Sequence, residues 1–237
     1  TYVNSEDLEP ERENLSDVVL RSRLQSAIEK LNPQLPQEAK QYGFQQILQA
    51  ANLTTSVVEN NRAIHRLLTE GVSIEILEGG DSRGQRIQII DWENISNNDF
   101  IVTNQFYIKG LDRDKIPDVV LFINGLPLVV IELKNAADEN ADVYKAFTQL
   151  SNYQDAVPDL FAYNGALIIS DGLDTRTGTI TSGYDRFLAW KSINGVKEED
   201  HTVPQIETLI KGMLTPVVLL DLIRNFTVFE DERKLDD

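Results

Sequence analysis

The chain has no cysteine among its 237 residues, which excludes disulfides and thiolate metal centres and fits a reducing, cytoplasmic setting. Histidine is nearly missing too. His65 and His201 stand far apart, so neither a zinc site nor a histidine-based catalytic pair is indicated. No apolar run approaches the length of a membrane helix, and no secretory leader is visible, so no membrane role is expected. A Gly-x-x-x-x-Gly-Lys-[Ser/Thr] loop is also lacking, which places P-loop ATP chemistry outside this chain. Basic charge is scarce: 22 Lys and Arg against 38 Asp and Glu give a formal net charge of −16. Proteins that grip a polyanion alone usually carry a basic face, so this chain should bind DNA poorly unless partners deliver it.

What is present is concentrated in one segment, Ile116-Pro117-Asp118 through Ile131-Glu132-Leu133-Lys134. Apolar runs flank Asn124-Gly125, a pair that tolerates the positive φ of a tight reversal, and predict a buried β-hairpin. An acid stands at its entrance and Glu-x-Lys at its exit. Ionised groups at a core edge must be paired or bound to metal. Asp118 and Glu132 therefore read as hard oxygen ligands for Mg²⁺, and Lys134 as a group that orients or activates water against a phosphodiester. The same residues also fit plainer roles, with Pro-Asp as a turn and Lys134 as an ion-pair partner of Glu132.

The chemistry makes a demand on register. Glu132 and Lys134 lie two apart on a strand and share a face. A strict two-residue turn at Asn124-Gly125 would place Asp118 opposite Ile131 and turn Glu132 away. One extra residue, in the loop or as a bulge, would bring Asp118 opposite Glu132.

Around the hairpin, residues 1–15 are polar and acidic and read as a loose lead-in. Ser16 can cap a helix from Asp17 to about Leu31; a second is expected over Gln37–Ala51 and a third over 56–69, closed by Gly71. Five strands should follow, at Val72–Leu77, Gln85–Trp92, Phe100–Ile108, Val119–Ile123 and Leu128–Leu133, with turns at Gly79-Gly80-Asp81 and Asn97-Asn98-Asp99. A helix over Val143–Tyr153 would return the chain to a parallel strand at Ala166–Ser170. Short strands are expected over 171–191, best at Phe187–Trp190. Helix returns over 204–225, interrupted at Pro216, and Phe226–Glu230 regains strand character. The whole predicts an α/β fold, a mixed central sheet flanked by helices. Residues 1–55 would pack on a core spanning 56–200, and 201–237 would lead away from it.

The residues also carry a resemblance. Pro117-Asp118 with Glu132-Leu133-Lys134 resembles the PD-(D/E)xK nuclease superfamily. Leu31-Asn32-Pro33, Glu59-Asn60-Asn61-Arg62, Asn97-Asn98-Asp99-Phe100, Asn104-Gln105-Phe106, Gln149-Leu150-Ser151-Asn152-Tyr153 and Phe161-Ala162-Tyr163-Asn164, in order, resemble the amino-terminal endonuclease domain of type I restriction enzyme R subunits. That resemblance implies a restriction-endonuclease-like core and Mg²⁺-dependent cleavage of double-stranded DNA. ATP would act only through a motor beyond this chain, and methylation and specificity subunits would be partners. It also gives Gln149 and Tyr153 a supporting or DNA-binding role as a Gln-xxx-Tyr element. Unaided, that pair reads as a half-buried polar pair side by side on a helix. Glu59 is either an additional site acid or a first-turn acid favoured by the helix dipole. Gln105 and Tyr107 read as a polar strand face. Two other functions stay open: a non-catalytic docking module, and a stand-alone nuclease such as a junction resolvase, which the acidic charge disfavours.

Overall fold

The computed structural model describes residues 1–78, 81–110, 113–135 and 142–230. Four helices open the chain: α1 (Ser5–Leu8), α2 (Arg21–Leu31), α3 (Gln37–Ala50) and α4 (Val57–Glu70). A separate antiparallel pair follows, β1 (Val72–Glu78) with β2 (Asp81–Ile87). The central sheet is built from β3 (Phe100–Asn104), β4 (Val119–Ile123), β5 (Leu126–Leu133), β6 (Ala166–Ser170) and β7 (Thr175–Gly178), ordered as numbered. The crossover from β5 to β6 carries α5 (Val143–Ala156) and α6 (Pro158–Ala162); α7 (Gln205–Gly212) and α8 (Pro216–Asn225) come last. The sheet is mixed, since β5 and β6 run parallel and its other pairs are antiparallel. The fold is the expected α/β arrangement. Among the described residues no helix is long and apolar enough to cross a membrane.

The core explains the order. β6 is buried at every position and β5 at all but Leu133, so layers must cover both faces. Leu24, Ala27 and Ile28 turn one face of α2 inward, and Phe44, Ile47 and Ala50 do the same for α3. α4 starts at Ser56, whose hydroxyl accepts from Glu59 N–H, and stops at Gly71, whose φ of 79° favours glycine. One contiguous buried cluster includes Leu8 near the start and Ile223 near the end.

Several sequence expectations need correction. Residues 1–15 are not a loose lead-in. Leu8 is fully buried, Arg12 lies over the Phe106 ring 4.6 Å away, and Val3 N–H bonds Val102 O. The first long helix begins at Arg21 rather than Asp17, because Val18–Leu20 are buried and Leu20 N–H is spent on Gly125 O. Ser16 caps nothing there; it bonds Asn14, while Asp17 accepts from Val19 N–H. The first two of the five expected strands pair apart from the central sheet, and β2 lies earlier than Gln85–Trp92. β3 ends at Asn104, well before Ile108. Of Phe187–Trp190 only Leu188 pairs, as a single bridge to Thr177, and Phe226–Glu230 form no strand. The turn expected at Gly79-Gly80 lies outside the described residues.

The hairpin and its two flanks carry Asp118, Glu132 and Lys134. Asn124 and Gly125 take φ of 52° and 81°, a two-residue turn with both central residues left-handed. A Cβ on Gly125 would meet Leu20 O at 2.4 Å, so glycine is required twice over. Pairing starts in strict register, Ile123 with Leu126 and Phe122 with Pro127. It then shifts, with Leu121 opposite Val129 and Val119 opposite Ile131. Leu128 is the extra residue. Proline has no N–H for a ladder and is tolerated inside a sheet mainly at bulges, which is where Pro127 sits. One step beyond Val119–Ile131, Asp118 faces Glu132.

Candidate active site

Three elements meet where β5 ends. β5 supplies Glu132, the position just past its end supplies Lys134, the segment entering β4 supplies Asp118, and α5 supplies Gln149 and Tyr153. Asp118 is half-buried and held at both oxygens. Gln105 Nε2 donates to Oδ1 (2.9 Å), and Leu133 N–H donates to Oδ2 (2.8 Å). Each oxygen keeps a lone pair for another donor or a cation.

Glu132 is fully buried. Its Oε1 accepts from Lys134 Nζ at 2.8 Å, whereas Oε2 is shielded from solvent and has no hydrogen-bond partner. Burial pushes its carboxyl up to about 7; the Lys134 ammonium opposes that rise and the Asp118 carboxylate adds to it. A buried carboxylate oxygen without a partner costs free energy, and a bound cation would recover it.

Lys134 Nζ also donates to Gln149 Oε1 (2.6 Å), and Gln149 Nε2 donates to Tyr153 Oη (2.6 Å). Tyr153 Oη in turn donates to Ile116 O (3.3 Å), two residues before Asp118. Burial raises the Tyr153 phenol above its ordinary range; the Gln149 bond opposes this, and Glu132 and Asp118 add to it. Tyr153 therefore stays a neutral donor. The i, i+4 spacing on α5 is what lines up Gln149 and Tyr153. The chain of bonds fixes the ammonium between two acceptors and leaves the third of its three N–H donors for something else.

Five of the six residues singled out from sequence thus come together: Asp118, Glu132, Lys134, Gln149 and Tyr153. Glu59 does not. It is exposed in the first turn of α4, and α4 is tied there by Asn61, whose Nδ2 donates to Ala162 O and Asn164 O. Asn164 precedes β6, whereas Glu132 faces Ile169 five residues later, about 16 Å along the strand. Glu59 is an exposed first-turn acid whose backbone N–H bonds the Ser56 hydroxyl, at the opposite end of the sheet. Asn60 closes the turn between α3 and α4 through Ala51 O and Thr54.

Two contributors were not anticipated. Gln105, expected on a polar strand face, instead binds Asp118. Lys115, whose ammonium lies 5.5 Å from the Tyr153 ring centroid, borders the same cluster. The signal for Gln105 was its place at the end of a strand pairing with the residues that follow Asp118.

Among the described residues there is no group of three or more acidic or histidine side chains that could hold a metal. Two carboxylates suffice for Mg²⁺, which keeps several waters and shares its shell with substrate phosphates. The unpartnered Oε2 of Glu132 and the remaining lone pairs of the two hydrogen-bonded Asp118 oxygens could serve that hard cation. A cavity of about 1040 Å³ lies elsewhere and is lined by Asn164, Thr177, Trp190 and Phe226 among others, with none of the five residues.

The model of the family described as type I restriction enzyme R protein N terminus matches residues 1–186. The chain belongs to that family. It is 38% identical over 224 residues to the type I restriction enzyme HindI endonuclease subunit of Haemophilus influenzae, covering 92% of this chain and 21% of that relative. The provisionally named type I restriction enzyme MjaIXP endonuclease subunit of Methanocaldococcus jannaschii is 32% identical over 235 residues, 94% of this chain and 22% of the relative. The Escherichia coli EcoprrI endonuclease subunit is 29% identical over 183 residues, 76% of this chain and 56% of the relative. This R protein N-terminal domain thus spans about a fifth of the length of the HindI and MjaIXP subunits.

Proposed function

We propose that this R protein N-terminal domain is an Mg²⁺-dependent endonuclease that hydrolyses double-stranded DNA as one module of a type I restriction complex. The observation that carries the reading is the bulge at Pro127-Leu128. It sets Asp118 opposite Glu132 and puts Lys134 beside them, where a regular hairpin would have separated the acids. Asp118 and Glu132 would hold the cation, which supplies Lewis-acid polarisation of a phosphodiester oxygen. Lys134, fixed by Glu132 and Gln149, presents its remaining N–H to a water or to a phosphate oxygen. Tyr153 and Gln149 keep that ammonium in place.

The net charge of −16 supports delivery of DNA by other parts of the complex. On this reading a motor in the rest of the subunit drives ATP-dependent translocation, and separate specificity and methylation subunits choose the site. A docking module would need the same sheet but not the open oxygens, and its acids would only hold the sheet together.

The test is DNA cleavage and ATP hydrolysis by the reconstituted complex. Lys134→Ala and Asp118→Ala should each lower cleavage by about 10²–10⁴-fold while ATP turnover continues. Retained cleavage would refute the catalytic reading, and joint loss of both activities with the melting transition would favour the docking module.

A further inference from the structure

We propose that Gln105 is a positioning residue of this site, kept in a strained backbone so that its amide can hold Asp118 ready for a cation. The proposal rests on the two-carboxylate reading above and adds to it a residue outside the superfamily motif. Two independent observations carry it. First, Gln105 has φ of 50°, a left-handed conformation that disfavours a side chain of this size. Asn124, the other non-glycine described residue with positive φ, belongs to a residue type that tolerates it and sits in a turn that requires it. Gln105 has neither excuse. It follows the last residue of β3, where an extended conformation would have continued the strand.

Second, the strained residue is used. Its backbone N–H donates to Asp118 O (2.9 Å), and its side-chain Nε2 donates to Asp118 Oδ1 (2.9 Å). The next residue continues the pairing, with Phe106 N–H on Pro117 O (3.2 Å) and its ring fully buried against Phe122. The chain is thus anchored immediately after Gln105, and the left-handed residue is where the strand turns its side chain across to Asp118. With Leu133 N–H on Oδ2, Gln105 completes a two-point clamp that stops the carboxylate from rotating about its χ2 torsion. Strain that persists at an exposed position and serves a neighbouring ligand is the pattern expected of a functional constraint. Gln105 itself need touch neither metal nor DNA.

The prediction separates positioning from stability. Glycine at 105 relieves the backbone and deletes the clamp. Asparagine keeps tolerance of positive φ but is one methylene too short to reach. Calorimetric titration of this chain with Mn²⁺, together with thermal melts in EDTA, reads both quantities without any DNA cleavage. Gln105→Gly should melt no lower than wild type yet bind Mn²⁺ about 10- to 100-fold more weakly, the range typical for partners that orient metal ligands. Gln105→Asn should fall with it. Asp118→Asn is the reference for loss of the site itself. If wild type binds Mn²⁺, Asp118→Asn does not, and Gln105→Gly matches wild type, the positioning role is overturned while the two-carboxylate site stands. A lowered melting temperature in Gln105→Gly would make Gln105 a structural residue and overturn it as well. Failure of wild type to take up Mn²⁺ would remove the site and this proposal together.

Discussion

The two ends of one hairpin treat a buried polar side chain in opposite ways. At the turn, Asn124 is fully buried and fully satisfied: Oδ1 accepts from Asp99 N–H, and Nδ2 donates to Ile89 O and Asn98 Oδ1. At the far end, Glu132 is equally buried, but one oxygen lacks a partner and the other holds an ammonium that is itself only partly used. Burial with every bond made is how a fold fixes itself. Burial with a bond left open has to be supported by the rest of the fold, and it persists where something binds. The bulge lies between the two ends, so the first end keeps the strict register and the second is shifted by one residue.

That contrast breaks most sharply by swapping what is removed. Loss of Lys134 or Asp118 should have the largest effect, orders of magnitude in cleavage, with little change in melting. Asn124→Ala should do the reverse. It deletes three hydrogen bonds and places alanine at positive φ, a cost of about 3 kcal/mol. Denaturant unfolding should show that loss at any pH. A variant as stable as wild type would mean that the turn end is not the anchor described.

A smaller effect sharpens the comparison through pH. Glu132 ionises near 4.5 in an unfolded chain but near 7 in the folded one without metal. Folding therefore favours its protonated form, and its contribution to stability falls as pH rises from about 4.5 to about 7 and stays low above that. In EDTA, Glu132→Gln should be more stable than wild type above pH 7 by on the order of 2–3 kcal/mol, and the gap should close toward pH 4.5. Melts of both proteins across that range give the difference directly. If wild type is instead the more stable at pH 8, the Glu132–Lys134 pair is a closed structural ion pair and the open-oxygen argument fails.

Much of this was legible beforehand, for physical reasons. Periodicity placed α3, α4, α5, β4 and β6 to within a few residues, because each buries one stripe or both faces continuously. The acids and the lysine stood out because charge does not end an apolar strand without cause. The register was posed as a choice, and Pro127 held the answer, since proline inside a central strand asks for a bulge. Positive φ at Gln105 had no sequence signal, glutamine being an ordinary strand-end residue. The start of α2 was misplaced because Ser16 and Asp17 have capping chemistry whose partners, Asn14 and Val19, are set by the buried run that follows.

The smallest expected effect concerns Glu59, the one acid that sequence grouped with the site and the fold does not. Its backbone N–H bonds the Ser56 hydroxyl, and its carboxylate stands exposed in the first turn of α4. There it favours the helix by a few tenths of a kcal/mol through the dipole. A metal ligand must come within about 2.1 Å of Mg²⁺. Glu59 is tied through its helix to Asn164, at the end of β6 away from Glu132, so a shift of several helical turns would be needed to bring it there. Glu59→Gln should therefore leave cleavage by the complex unchanged and lower stability by less than about 0.5 kcal/mol. A loss of cleavage comparable to that of Asp118→Ala, with melting intact, would show that α4 reaches the carboxylates in the working enzyme and that the site has a third acid.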